Sequence, residues 1–422
     1  SNGKFSPSIS YQSIGGGGGS VGNLTGRAQL GAQATNGVQN SQPMSLRNGG
    51  TLVTLGNYSP TILVQSIGGG GGWTGAVEDR ANLGSINASQ IAQQNSSDID
   101  VISNGPSLRT NGSNSAGIAL QSTAGGGGWV GSVGENLTLG AKNSEAAMNS
   151  GNINVLNTSN IWTFGKTSPG MSVQSIGGGG GYAGNVDGSG QFGSENSSGS
   201  QKSGDITVQN SGSVLSTGAF SPLITVQSVG GGGGHSGDIN ENINLGAINM
   251  VDLLATAGNV KVTQNSEYLI STGENSPALV VQSVGGGGGG VAMVTGDVTM
   301  GATGSGTTNG GNVEVINQSI IETYGANSTG LLVQSVGGGG GFSGMSSGDN
   351  VILGGSIKGN SSGGSVDATN KASITTLGIN SAGFLAQSIG GGGGATAKSK
   401  GLLSRLGAES STMANAEDVE VN

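Results

Sequence analysis

Asp98 and Asp100 stand two residues apart in the segment SSDIDVISN. Paired carboxylates are what glycoside hydrolysis uses, one as acid and one as base or nucleophile. The alternation argues against that use here. Ile99 and Val101 take the inward positions of the same segment, so both acids point to solvent. Glu78, Asp79 and Arg80 form a charged triplet in a loop-like stretch, and no acidic position recurs along the chain. His235 is the single histidine and there is no cysteine. A metal-ligand cluster, a cysteine nucleophile and a convincing serine triad therefore all lack their parts. The chain is expected to be no enzyme and to bind no cofactor or metal.

What does recur is a glycine-rich element, as in VQSIGGGGGWTG from Val64 to Gly75. Its glutamine falls at Gln12, Gln65, Gln121, Gln174, Gln227, Gln282, Gln334 and Gln387, with spacings of 53, 56, 53, 53, 55, 52 and 53 residues. A fixed period of this size is the signature of a repeat architecture. The 422 residues include 90 glycines, with 9% charged and 3% aromatic residues. That is too few rings for an ordinary globular core and too little charge for a typical disordered chain. Residues 1–422 therefore read as one elongated repeat domain. Both ends fall mid-unit, which suggests an internal slice of a longer array. Net charge is −9 without a basic patch, so nucleic acid is not an expected partner. No apolar run reaches the length of a membrane helix, so this segment is not expected to insert.

Aligning the units on their glutamine shows what each one keeps. Gly stands nine residues before it and Ser six before it in all eight units, and Ser always follows it. Asn stands seventeen before it, at Asn48, Asn104, Asn157, Asn210, Asn265, Asn317 and Asn370. An apolar residue and Gly follow 18 or 19 residues after it, as at Leu139-Gly140 and Leu406-Gly407. Between these marks Val, Ile and Leu alternate with polar residues, as in NVEVIN and DITVQN, which predicts short strands. GLLSRLGAESS looks helical alone but sits in register with ENLTLGAKNSE, so it too is expected to be strand. The predicted fold is all-β: a parallel β-solenoid, with about two coils per repeat of about 53 residues. Sixteen coils would stack to roughly 75–80 Å, with the seven asparagines as a ladder.

The glycine runs admit two readings. They could cross a crowded place inside the solenoid where no Cβ fits. Or they could form a bare stripe that another backbone approaches closely. The residue after the run is Trp73, Trp129, Tyr182, His235 or Phe342 in five of eight units. These rings either cover the glycines or form an exposed stripe that grips a partner. On the second reading the stripe comprises Gly68, Gly70, Gly72, Trp73, Gly126, Trp129, Gly179, Tyr182, Gly232, His235, Gly287, Gly339 and Phe342.

The units VQSIGGGGG and SPGMSVQSIGGGGGYAG resemble the glycine-rich repeats of very large autotransporter passengers of Gram-negative bacteria. The resemblance covers essentially the whole chain. It implies type V secretion, a right-handed β-helix and a place at the cell surface, anchored through the outer membrane by regions outside this chain. It also implies a surface adhesin or fibre role. The leading expectation is a structural extracellular fibre or stalk supporting adhesion, aggregation or biofilm formation, with another copy of itself as partner through the in-register glycine runs and ring stripe. The alternative is an adhesin module whose ring stripe binds a polysaccharide or host surface. The resemblance carries over no catalytic residues.

Overall fold

The computed structural model describes residues 1–34, 36–89, 92–399, 403–407 and 413–422, and among these it contains strands and no helix. Every ladder is parallel, and each strand pairs with its counterpart one whole repeat away. Gln12 lies beside Gln65, Gln65 beside Gln121, and so on to Gln334 beside Gln387. The fold is the expected parallel β-solenoid, but one repeat makes one coil rather than two. The reason is that the glycine-run half of each unit lies beside the VEVIN half and does not stack upon it. Like residues then sit on like: Gln on Gln, Gly on Gly, Ser on Ser. Eight coils at about 4.8 Å make a stack roughly 38 Å tall, half the two-coil figure.

One coil shows the plan. Ile153–Asn157 belongs to sheet I, Asn160–Thr163 to sheet II, Met171–Ile176 to sheet III, Gly180–Val186 to sheet IV, Gly190–Phe192 to sheet V and Ser198–Lys202 to sheet VI. Sheets I, III, IV and V each have eight strands. Sheet VI carries register shifts, and it lies in the part of the unit whose length varies most. In the last coil Leu403–Leu406 is strand, paired with Asn350–Leu353. The rest of GLLSRLGAESS beyond Gly407, with Gly401 and Leu402, lies outside the described residues.

Sheets III and IV are buried on both faces. Ile62 and Val64 face a core shared with Ile99 and Val101 of sheet I and Leu108 of sheet II. Leu63, between them, faces Trp73 of sheet IV. On the far side of sheet IV, Val130 and Val133 pack against Leu137 and Leu139 of sheet V. A coil is thus three apolar layers thick. Parallel strands covered on both sides read as near-continuous apolar runs, as ILVQSI does.

Polar side chains tie one coil to the next. The glutamine amides form an unbroken file, buried from Gln65 to Gln334, with Nε2 of each donating to Oε1 of the next at 2.6–3.1 Å. The serine six before it accepts from the backbone of the coil before, as in Ser115 N to Ser168 Oγ at 3.0 Å. Its own hydroxyl donates to the carbonyl of that coil's glycine nine before Gln, as in Ser168 Oγ to Gly112 O at 2.9 Å. The serine after Gln staples sheet III to the corner before sheet I: Ser175 Oγ donates to Gly151 O and accepts from Gly204 N, both at 2.9 Å.

The asparagine ladder needs a correction. Asn48, Asn157, Asn210, Asn317 and Asn370 do occupy one file at the end of sheet I, but Asn104 and Asn265 do not. Their places are taken by Ser103 and Gln264, because those two units carry one extra residue between sheets I and II. Asn157 Nδ2 donates to Asn210 Oδ1 at 2.6 Å, and Asn210 Nδ2 to Gln264 Oε1 at 2.9 Å. Asn104 and Asn265 are exposed. Gln264→Leu is therefore expected to cost about 1–3 kcal/mol by orphaning buried polar partners, and Asn265→Ala less than about 0.5 kcal/mol. Urea denaturation of both variants checks this, and equal effects would refute the assigned register.

Candidate functional site: a buried ring file and an exposed apolar strip

The glycine runs lie inside the wall. Gly68, Gly70, Gly72, Gly126, Gly179, Gly232, Gly287 and Gly339 are all buried. Consecutive runs hydrogen-bond one another, as in Gly127 N to Gly70 O and Gly180 N to Gly126 O, both 3.2 Å. Gly126 shows why no side chain is tolerated. Its φ is +95°, and a Cβ there would stand 2.3 Å from the Cα of Gly84, the glycine that ends a sheet V strand one coil below. The glycine run of one coil and the apolar-Gly mark of the coil below it are two sides of one close contact, as with Gly126 on Gly84 and Gly179 on Gly140. A bare external stripe does not exist at these positions.

The rings are interior too. Ser20, Trp73, Trp129, Tyr182, His235, Gly290, Phe342 and Ala395 form one file on sheet IV, facing sheet III. Trp129 and Tyr182 are fully buried, Trp73 and His235 nearly so, and Phe342 is partly buried. Trp129 stacks on Tyr182 with centroids 3.7 Å apart, and Tyr182 on His235 at 5.6 Å. The Tyr182 hydroxyl donates to Thr167 O at 2.7 Å, and burial holds its pKa well above the usual phenol range. Burial likewise pushes the His235 imidazole down to about 4, and its Nε2 has no hydrogen-bond partner. Gly290 breaks the file above His235. Beside the break, Phe220, Pro222, Pro277 and Phe342 line a gap with room for about one water molecule.

The residue seven before each glutamine turns the corner from sheet II towards sheet III with left-handed backbone, φ 52–58° at Phe5, Tyr58, Asn114, Thr167, Phe220, Asn275, Asn327 and Asn380. Asparagine suits that conformation; rings do not. The aromatic corners stack instead, with Phe5 on Tyr58 at 4.8 Å and edge-on to Trp73 at 6.1 Å.

Asp98 and Asp100 are exposed, beside a buried Ile99 and Val101. Asp98 accepts from Asn152 N at 2.7 Å and Asp100 from Asn154 Nδ2 at 2.9 Å, so each caps the next coil. Arg80 pairs with Glu135 at 2.9 Å and Asp79 with Arg27 at 3.2 Å.

The surface that stands out lies on sheet II. Its inward residues alternate with three outward files. The first is Val53, Arg109, Trp162, Leu215, Ile270, Glu322 and Thr375. The second, just past the strand ends, is Leu55, Asn111, Phe164, Thr217, Thr272, Tyr324 and Leu377. The third, at the corner, runs through Lys166, Ala219 and Glu274 to Ile379. Trp162 is 36% exposed, Phe164 39%, Tyr324 46% and Leu377 66%. Arg109 lies over the Phe164 ring at 5.0 Å. The signal for this strip was present in WTF and LVTL, where a buried hydroxyl sits between two outward apolar residues.

No family model and no curated protein matches this chain. Among solved structures, a chain of "The cryo-EM structure of the Vag8-C1 inhibitor complex" aligns at 13% identity over 95% of this chain and 100% of that one. Its TM-score is 0.16, too low to bear on fold or function.

Proposed function

We propose that this chain is a structural segment of an extracellular fibre or stalk at a bacterial surface, serving adhesion, aggregation or biofilm formation. The observation that carries this is the coil-to-coil bonding. Neighbouring coils meet through parallel strand pairs in several sheets at once, reinforced by a continuous amide file. A force along the stack then loads many hydrogen bonds at once, which is what a stalk requires. The resemblance of the units to autotransporter passenger repeats supports the surface location. Adhesion through the ring file is not part of this reading, because those rings are inside.

The test is electron microscopy of two copies joined in repeat register. A stalk segment should give one straight particle about twice the height of the single stack, roughly 75 Å. Two particles on a flexible tether would sink the reading.

A further inference from the structure

Contiguous apolar patches beyond a few hundred Å² are uncommon on monomeric proteins and mark interaction sites. The outward face of sheet II exposes Val53, Leu55, Trp162, Phe164, Tyr324, Leu377 and Ile379 among polar residues, and its charges are not evenly placed. Arg109 and Lys166 lie in the coils of Gln121 and Gln174, whereas Glu267, Glu274 and Glu322 lie in the coils of Gln282 and Gln334. The coil of Gln227, between them, has Leu215, Thr217 and Ala219 at the same outward positions and no charge.

We propose that this face pairs with the same face of a second copy, with the two stacks antiparallel. Consider a two-fold axis lying between the faces, parallel to the strands, at the height of Val214–Ser216. Each file then faces itself in reversed order. Arg109 meets Glu322, which shares its file and lies as many coils above Leu215 as Arg109 lies below. Trp162 meets Ile270, and Leu215 meets its own copy. In the corner file Lys166 meets Glu274; Lys166 also pairs with Asp238 of its own chain. Arg109 and Glu322, which form no salt bridge among the described residues of one chain, become complementary in the pair, and the Trp162 ring loses water against Ile270. A parallel arrangement would set Arg109 against Arg109 and Glu322 against Glu322. This pairing does not depend on the stalk reading, which the joined-copy experiment tests separately.

The strip measures roughly 30 by 15 Å, so the pair would bury about 900 Å² in total. That is at the low end of specific interfaces, so association of this chain is weak and salt-sensitive.

Sedimentation velocity from about 10 µM to about 1 mM protein reads it directly. Wild type is expected to shift towards dimer across this range. Arg109→Glu and Glu322→Arg should each weaken pairing about tenfold or more, because each sets like charges together at both ends. The double variant, and an equimolar mixture of the two single variants, should restore it. Circular dichroism of each variant checks that the fold is kept. A wild type that stays monomeric throughout would overturn the proposal. So would single variants that pair as well as wild type, or a double variant that fails to recover.

Discussion

Gly126→Val is expected to destabilise the stack by about 2–5 kcal/mol. Two costs add. A left-handed backbone, φ +95° at this residue, disfavours any L side chain by about 1–2 kcal/mol. Overpacking adds about 1–3 kcal/mol, and here the obstacle is the backbone of Gly84, which cannot swing aside. The control is Gly22→Ala. Nothing lies within 4 Å of the position a Cβ would take there, so its urea midpoint should barely move. Comparing the two midpoints on monomeric protein separates wall from zipper. Were the run an external zipper, Gly126→Val would weaken association and leave the midpoint unchanged.

Acidification is expected to weaken the protein through one buried ring. His235 is neutral in the folded chain, with a pKa lowered from 6.5 to about 4 by burial alone. The unfolded chain takes up the proton first, at about 6.5. Stability from this group is therefore complete above pH 6.5. It falls as pH drops from about 6.5 towards 4, and changes no further below that. The full loss is about 3 kcal/mol. His235→Phe keeps a ring in the file, as Phe342 already does, and removes the titration. Its midpoint should be flat across that window apart from the carboxylates, whose own protonation sets in towards its acid end. A wild type as stable at pH 4.5 as at pH 7 would show that His235 is not held dry between Tyr182 and the gap at Gly290.

Much of this was legible before any coordinates. The period, the strands and the invariant Gly and Ser of each unit follow from the sequence, because a stack places each residue on its own equivalent. Gly112 and Ser168 had to be small and hydroxylic for a local reason, a carbonyl at hydrogen-bond distance in the neighbouring coil. The solvent-facing placement of Asp98 and Asp100 was likewise readable from Ile99 and Val101. What only the tertiary structure decided was which parts of a unit lie beside one another rather than above. That choice made one coil per repeat instead of two, put the glycines and Trp129 inside, and moved Ser103 and Gln264 into the file assigned to asparagine. Period-two alternation says which way a side chain points from its strand. It is silent on whether a further sheet covers that face, because the cover is supplied by a segment tens of residues away.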